Sequence, residues 1–456
     1  MAKEKTQFSC NECGHIQTKW TGHCSICKQW NTFQQELALT DKQERFVSAA
    51  RTPAQPMRIQ EVNICAFTRL STQMPEFDRL LGGGIVAGSL TLVAGDPGIG
   101  KSTLMLQLAQ HIASQGIIVL YVCGEESVEQ TTLRARRLNL GHDGLYLLSE
   151  TLFSNIKTHI DRLKPQVMIV DSIQILYKGE IASSPGSVTQ VRELATEFMH
   201  LAKGHGIATF LIGHVTKSGE IAGPRVLEHI VDTVLDFEGD KQHGYRLMRS
   251  VKNRFGPTED IVLFQMGAQG LSEVSNPSIL FLEERTKETA GSIIIPTIEG
   301  TRALLIELQA LVAASAFSTS TRKSTGLDSN RLALLLAVLE KRMGYRLHHC
   351  DVFVSVAGGL KISEPAIDLG VVTAIASSFC NKAIDPETVV IGEVGLGGEV
   401  RGVPRIENRL REAIHMGFKR CLLPERNLKG LSPEFAQKIA LIGVDRVEQA
   451  INALIA

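Results

Sequence analysis

Between residues 60 and 270 the apolar positions fall into short unbroken runs rather than a strict alternation. The runs are Leu90–Ala94, Ile117–Cys123, Val167–Val170, Ala208–Ile212 and Thr233–Phe237. Segments with helical spacing separate them. Short apolar runs alternating with helices predict parallel strands buried on both faces of one sheet. Two further runs, Tyr245–Val251 and Ile261–Met266, flank Gly256-Pro257 and predict a hairpin at the sheet edge. A second alternating α/β block occupies residues 272–456, and within it the Ser- and Thr-rich stretch Ser315–Ser329 reads as a mobile loop. No repeat with a period of about 20–50 residues is visible. The uncharged stretch Thr103–Gly124 is interrupted by Gln107, Gln110, His111, Gln115 and Gly116, so it reads as a buried helix followed by a strand rather than a membrane span.

The ends and joints differ in character. Residues 1–33 are polar and rich in cysteine, and residues 34–58, with Pro53 and Pro56, read as a linker. The chain has 456 residues, enough for several domains of about 100–200 residues. Forty-eight basic residues balance 48 acidic ones, which excludes a globally basic nucleic-acid coat but leaves room for a local basic track. Only 5% of residues are aromatic, which argues against base stacking as the main mode of any nucleic-acid contact. Nine cysteines with no apolar leader segment at the N-terminus point to a reducing, cytoplasmic setting.

Four of the cysteines make a pattern of their own. Cys10 and Cys13, then Cys24 and Cys27, are two CxxC pairs. Each pair places two thiolates on one tight turn, and two such turns close a tetrahedral shell around Zn²⁺. A closed shell of this kind is structural, and the metal would supply folding energy that so short a module lacks.

Gly95-Asp96-Pro97-Gly98-Ile99-Gly100-Lys101-Ser102 fits GxxxxGK[ST], preceded by a strand and opening a helix at Thr103. Its glycines let backbone N–H groups wrap the phosphates of ATP; Lys101 reaches the β- and γ-phosphates and Ser102 holds Mg²⁺. Asp171 ends the run Val167–Val170, where a carboxylate orients Mg²⁺ and its waters. Glu125 and Glu126 follow the run ending at Cys123. Glu125 is favoured to polarise the attacking water, with helix capping a competing role for Glu126. His214 follows the run ending at Ile212, the address of a γ-phosphate sensor, although a structural histidine is the plainer alternative.

Lys252-Asn-Arg-Phe-Gly256 lies on the expected hairpin, in a stretch from Lys241 to Gly256 with five basic residues and no acidic one. With the four-cysteine module, the P-loop, Glu125 and Asp171, this motif makes the whole chain resemble the bacterial DNA-repair family RadA, also called Sms. The resemblance implies an α/β fold with a RecA-type P-loop ATPase core. It also implies an N-terminal zinc module over residues 1–33, the linker 34–58, a core over 59–271 and a Lon-protease-like α/β domain over 272–456. It implies a DNA-dependent ATPase that forms hexameric rings, binds single-stranded and branched DNA beside a RecA-type recombinase, and drives branch migration. A non-motor scaffold switched by ATP is the alternative. In such rings basic residues from a neighbour complete the nucleotide site, and Lys252 and Arg254, two apart on a strand, point to one face for that role. DNA contacts are expected from Lys178 in the loop Lys178–Val188, and from Lys217 and Arg225 in a second loop, unless these are ordinary surface loops. The Lon-like domain lacks its dyad: Ala366 follows Pro365 where a serine is needed, and no lysine lies between Lys382 and Lys419. It is therefore expected to be proteolytically inactive, with Arg401, Arg405, Arg409 and Arg411 either facing DNA or paired with Glu399, Glu407 and Glu412.

Overall fold

In the computed structural model the described residues are 6–10, 16–17, 20–30, 32–37, 58, 69–214, 227–239, 244–258, 260–283, 285–286, 288–315 and 320–455. The chain divides into two compact units, residues 1–66 and 67–456. In the first, β1 (Thr6–Cys10) is flanked by β2 (Ile16–Gln17) and β3 (Phe33–Leu37) in an antiparallel sheet. Trp20 and Trp30 are exposed, and the Trp30 ring lies 5.0 Å from that of His23.

The second unit begins with a nine-stranded sheet. Its parallel part holds β4 (Leu90–Gly95), β5 (Val119–Cys123), β6 (Leu145–Leu148), β7 (Val167–Asp171), β8 (Ala208–Ile212) and β9 (Thr233–Glu238). Every residue of β4, β5, β7 and β8 is buried, as expected for strands covered on both faces. The helix Lys101–Ala113 covers one face through Leu104, Met105, Leu108 and Ile112. The helix Val188–His205 covers the other through Val191, Leu194, Phe198 and Leu201. That helix is started by Ser187, whose side chain accepts the Gln190 N–H, and is stopped by left-handed Gly206.

The sheet runs on through three antiparallel strands, β10 (Tyr245–Asn253), β11 (Ile261–Gly267) and β12 (Gly270–Glu273). The order is β12-β11-β10-β9-β4-β8-β7-β5-β6. The β10–β11 hairpin is therefore interior, not at the edge. The edge strand β12 is only four residues long, too short to show as a run, and Gln107 pins it by bonding both the N–H and the carbonyl of Leu271.

A seven-stranded sheet follows, in the order β15-β16-β14-β13-β17-β20-β21. Its strands are β13 (Ser292–Glu299), β14 (Arg302–Ala314), β15 (Arg322–Thr325), β16 (Cys350–Val356), β17 (Thr388–Val390), β20 (Arg420–Pro424) and β21 (Ala440–Val444). A small hairpin, β18 (Glu393–Val394) and β19 (Val400–Arg401), stands apart from it. The stretch expected as a loop at 315–329 contains β15, which pairs with β16 in parallel register; its residues Arg322-Lys-Ser-Thr325 include no apolar position that could mark a strand. The helix Asp368–Cys380 is buried almost throughout, and Gly370 lets it approach β13: a Cβ there would meet Ile295 at 2.3 Å. The two sheets share a core, since Leu247, Ile261 and Leu263 pack with Ile295, Leu304, Ile306 and Val356 of the second sheet. Arg302–Glu76 (2.7 Å), Arg249–Glu299 (2.8 Å) and a Tyr245 hydroxyl donated to the Gly358 carbonyl fasten them at the rim. Among the described residues no helix is long and apolar enough to cross a membrane.

Candidate functional site

The P-loop leaves β4 at Gly95. There φ is 151° and a Cβ would lie 2.5 Å from the Phe237 carbonyl oxygen, so only glycine fits. Gly100, at φ 116°, caps the helix that Lys101 opens. Asp96, Pro97 and Gly98 are exposed, Ile99 is buried, and Ser102 and Thr103 sit half-buried on the first helical turn. A glycine-rich turn thus leads straight into a helix N-terminus, which is the arrangement that receives phosphate. Arg246 of β10 steadies the loop by donating from Nε to the Ile99 carbonyl at 3.3 Å.

Three strand ends bring the reactive groups together. Lys101 is 3% exposed and its Nζ donates to the carbonyls of Gly95 (2.7 Å) and Asp96 (2.9 Å). It also lies 3.2 Å from His214 Nδ1. The other ring nitrogen, Nε2, is 2.9 Å from Glu125 Oε1. An ammonium can only donate, so Nδ1 accepts from Lys101 and the Nε2 proton points to Glu125. Ser172 donates a further hydrogen bond to the same Glu125 oxygen. Burial opposes the ionised form of Glu125, but the bonds from Ser172 and His214 and the charge of Lys101 hold its pKa below the ordinary 4.5. Burial lowers the Lys101 pKa, against the pull of Asp171, Glu125, Asp96 and Asp236. Glu126 turns away and pairs with Arg134. Asp171 ends β7, 9% exposed, and accepts the Tyr121 hydroxyl at 2.7 Å; the peptide joining it to Ser172 is cis. Burial, then Asp171, drives the Tyr121 pKa far up, so it stays a donor.

Tyr121, Ser172 and Arg246 were not singled out in the sequence. Tyr121 hides inside an apolar run, where the signal is its hydroxyl on a strand predicted to be wholly buried. Nothing local marks Arg246, because its role depends on which strand lies beside β4.

Lys252 and Arg254 sit at the opposite end of the sheet. Asn253 pairs with Thr233, and Thr233 with Thr91 at the start of β4; Gly95 is four residues further along. At strand rise that is about 13 Å from the P-loop. The regular i, i+2 strand geometry expected for the pair is broken, because the register shifts between Ser250 and Lys252 and the strand ends at Asn253. The two side chains still converge. Lys252 Nζ donates to the carbonyls of Glu228 and Val231, and Arg254 Nη1 reaches Asp232 Oδ1 at 3.1 Å. Asn253 and Gly256 do structural work: Asn253 donates to the Leu80 carbonyl, and Gly256 packs against Gly82.

Other expectations need correction. Lys178 is not an exposed phosphate contact. It is 9% exposed, 2.5 Å from Glu197 Oε1 and 5.9 Å over the Phe153 ring. Nor is its loop loose, because buried Gln190 donates to the carbonyls of Lys178, Ile181 and Ser183. Lys217 and Arg225 lie outside the described residues. The four arginines singled out in the C-terminal domain all have partners within the chain. Arg409 is fully buried, bonded through two nitrogens to Glu364 and to the Pro296 carbonyl. Arg401 pairs with Glu399 and Glu393, Arg411 with Glu407, and Arg405 donates to the Gly300 carbonyl. Glu412 accepts from Ser278. Ala366 is buried at the start of the helix, and Glu364 beside it is ionised by Arg409 despite its burial.

In the N-terminal unit Cys24 and Cys27 flank a turn closed by the Lys28 N–H on the Cys24 carbonyl at 2.9 Å. Two thiolates on such a turn fit half of a tetrahedral zinc shell. Cys13 and the Cys10 side chain lie outside the described residues.

Comparison with known proteins finds family matches along the chain. Residues 8–35 match the rubredoxin metal binding domain, residues 53–220 an AAA domain, and residues 330–427 subunit ChlI of Mg-chelatase. The chain is 52% identical over 453 residues to DNA repair protein RadA of Chlamydia pneumoniae, covering 99% of each. It is 50% identical over 454 residues to that of Halalkalibacterium halodurans and 49% over 455 residues to that of Bacillus subtilis, again covering 99% of each. An α/β P-loop ATPase core is thus joined to a zinc ribbon before it and a ChlI/Lon-like domain after it. The chain belongs to the RadA family of DNA repair proteins.

Proposed function

We propose that the protein is a DNA-dependent ATPase that assembles as a ring, most simply a hexamer, on recombination intermediates. It translocates on single-stranded DNA and drives branch migration beside a RecA-type recombinase. We assign residues 1–33 to the zinc module, 59–271 to the motor and 272–456 to a non-proteolytic Lon-like domain. The observation that carries the reading is the distance between the two halves of the catalytic machinery. Glu125, His214, Lys101 and Asp171 gather at one end of the sheet, while Lys252 and Arg254 lie about 13 Å away at the other. The basic pair cannot serve its own P-loop; it can serve a neighbour's.

The chain's residues then divide the work. Gly98, Gly100 and Lys101 bind the phosphates of ATP. Ser102 and Asp171 would hold Mg²⁺, which would neutralise charge on the phosphates. Glu125, ionised at neutral pH, takes a hydrogen bond from the attacking water and aligns it. His214 joins Glu125 to Lys101, so a change at the γ-phosphate reaches the end of the strand β8. The neighbour's Arg254 and Lys252 stabilise charge in the transition state. The paired arginines and missing serine of the Lon-like domain leave it a structural partner of the motor.

Steady-state ATP hydrolysis with and without single-stranded DNA tests the reading, using the wild type, Lys101→Ala and Arg254→Ala. The expected result is strong stimulation by DNA that both variants lose. DNA-indifferent turnover, or normal hydrolysis by Arg254→Ala, would leave an ATP-switched scaffold as the better account.

A further inference from the structure

Lys252 and Arg254 both lean on one short segment, residues 227–232, where the described chain resumes after residue 214. Lys252 Nζ reaches the Val231 carbonyl at 2.9 Å and also the Glu228 carbonyl. Arg254 is tied to Asp232 twice: its backbone N–H meets the Asp232 carbonyl at 3.2 Å, and Nη1 meets Oδ1 at 3.1 Å. Asp232 is 3% exposed, and its second oxygen accepts the backbone N–H of Leu90 at 3.1 Å. Lys203, near the end of the helix Val188–His205, lies 3.5 Å from Oδ1. One buried carboxylate therefore joins four pieces of the motor. They are the first residue of the P-loop strand, the helix behind the loop 178–187, the segment 227–232 that carries it, and Arg254 of the basic pair.

A buried carboxylate must be compensated, and here a backbone N–H and two cations do so. For Arg254 the arrangement has a directional consequence. A guanidinium is planar with five donors in a fixed fork. One of its nitrogens is anchored on Asp232, while the side chain is 52% exposed. The remaining donors are thereby aimed before any anion arrives, and a side chain aimed in advance loses less freedom on engaging one. Lys252 adds a third positive charge beside the two cations on this carboxylate without bonding it. Burial first, then the nearby Arg254, lowers the Lys252 pKa.

We infer that Asp232 is a positioning residue: it aims Arg254, with Lys252 beside it, at the nucleotide of the neighbouring subunit, and ties that aim to the chain segment that follows residues 215–226. The inference rests on the reading above that the basic pair acts across a subunit boundary. It gives Asp232 no contact with nucleotide, so its loss must show in turnover and not in nucleotide affinity.

The test is ATP hydrolysis in mixed rings. Wild-type protein is doped with increasing shares of one of three variants: Lys101→Ala, Lys101→Ala/Asp232→Asn or Lys101→Ala/Arg254→Ala. None of the doping subunits turns over ATP itself, so only their effect on neighbours differs. Both double variants are expected to depress turnover further than Lys101→Ala at equal dose. If the Arg254 double variant does so and the Asp232 one follows the Lys101→Ala curve, the inference about Asp232 is overturned while action in trans stands. If all three curves coincide, action in trans fails and the inference with it. In undoped rings Asp232→Asn should lower kcat about tenfold and change KM for ATP less than about twofold. Should Asp232→Asn melt early, Arg254→Lys on the exposed side gives the same information. A lysine keeps the charge but cannot hold Asp232 and a phosphate in one rigid fork, so kcat should fall as in Arg254→Ala; wild-type kcat in Arg254→Lys would overturn the inference.

Discussion

Adjacent glutamates at the end of β5 face different fates, and this is where the account is sharpest at the scale of single residues. Glu125 is drawn to Ser172, His214 and Lys101, and Glu126 to Arg134. Glu125→Gln should therefore lose turnover about 10²-fold or more while still binding ATP, whereas Glu126→Gln should stay within about threefold of wild type. Single-turnover hydrolysis beside nucleotide binding checks both. Because the Glu125 pKa is depressed, its carboxylate is ionised above the depressed value and is lost only as pH falls through it. The acid limb of kcat should thus lie below the ordinary 4.5, and Ser172→Ala, which removes a bond to the ionised form, should move it upward. An unmoved limb would separate Ser172 from the base. The P-loop, Glu125 and Asp171 were legible because each ends an apolar run in a strand–loop–helix pattern. Tyr121, Ser172, Arg246 and Asp232 were not, because their roles come from strands adjacent in space and distant in sequence. Lys178 misled because a lysine in a Gly- and Ser-rich loop looks solvated, and only the fold supplies Glu197 and the Phe153 ring.

At the scale of elements, strands buried on both faces announced themselves, and short or half-polar ones did not. β4, β5, β7 and β8 stood out as apolar runs, while β12, four residues long, showed no run and β15, equally short, lay in a stretch read as a loop. The missing β12 also made an interior hairpin look like an edge. β10 is the element that joins most of the motor's parts: Arg246 to the P-loop, Tyr245 and Arg249 to the second sheet, and Lys252 to residues 228–231. The turn after it is set by close contact between glycines, where a Cβ on Gly256 would meet the Gly82 Cα at 2.6 Å. Gly256→Ala should destabilise the protein by about 1–3 kcal/mol, read by denaturant unfolding, and should blunt DNA stimulation through the displaced Arg254. A variant as stable and as responsive as wild type would show that the turn is not held this way.

At the scale of the whole molecule, the proposal that the C-terminal domain is not proteolytic rests on its residues. A Lon-type dyad needs a serine and a neutral lysine; here Ala366 follows Pro365, and nearby a largely buried Glu364–Arg409 pair also bonds the Pro296 carbonyl. Breaking one side of such a pair leaves a buried charge, so Arg409→Ala should cost about 3–5 kcal/mol of stability, while Arg409→Met, which refills the space, should still leave Glu364 uncompensated. Replacing both, as Glu364→Gln with Arg409→Met, should recover part of the loss; equal stability of Arg409→Ala and wild type in denaturant would contradict this role. The sequence showed the missing dyad plainly. It left the surrounding arginines open between DNA and internal pairing; Arg401–Glu399 and Arg411–Glu407 are close in sequence, whereas the Arg409–Glu364 pair, 45 residues apart, has no linear signature. The central claim, that hydrolysis at Glu125 is converted into movement along DNA, is tested most directly by strand displacement from a forked duplex. The measurement compares wild type and Glu125→Gln with ATP. The account predicts displacement by wild type and none by Glu125→Gln, although both bind the fork. ATP-dependent binding of the fork without displacement by wild type would contradict it.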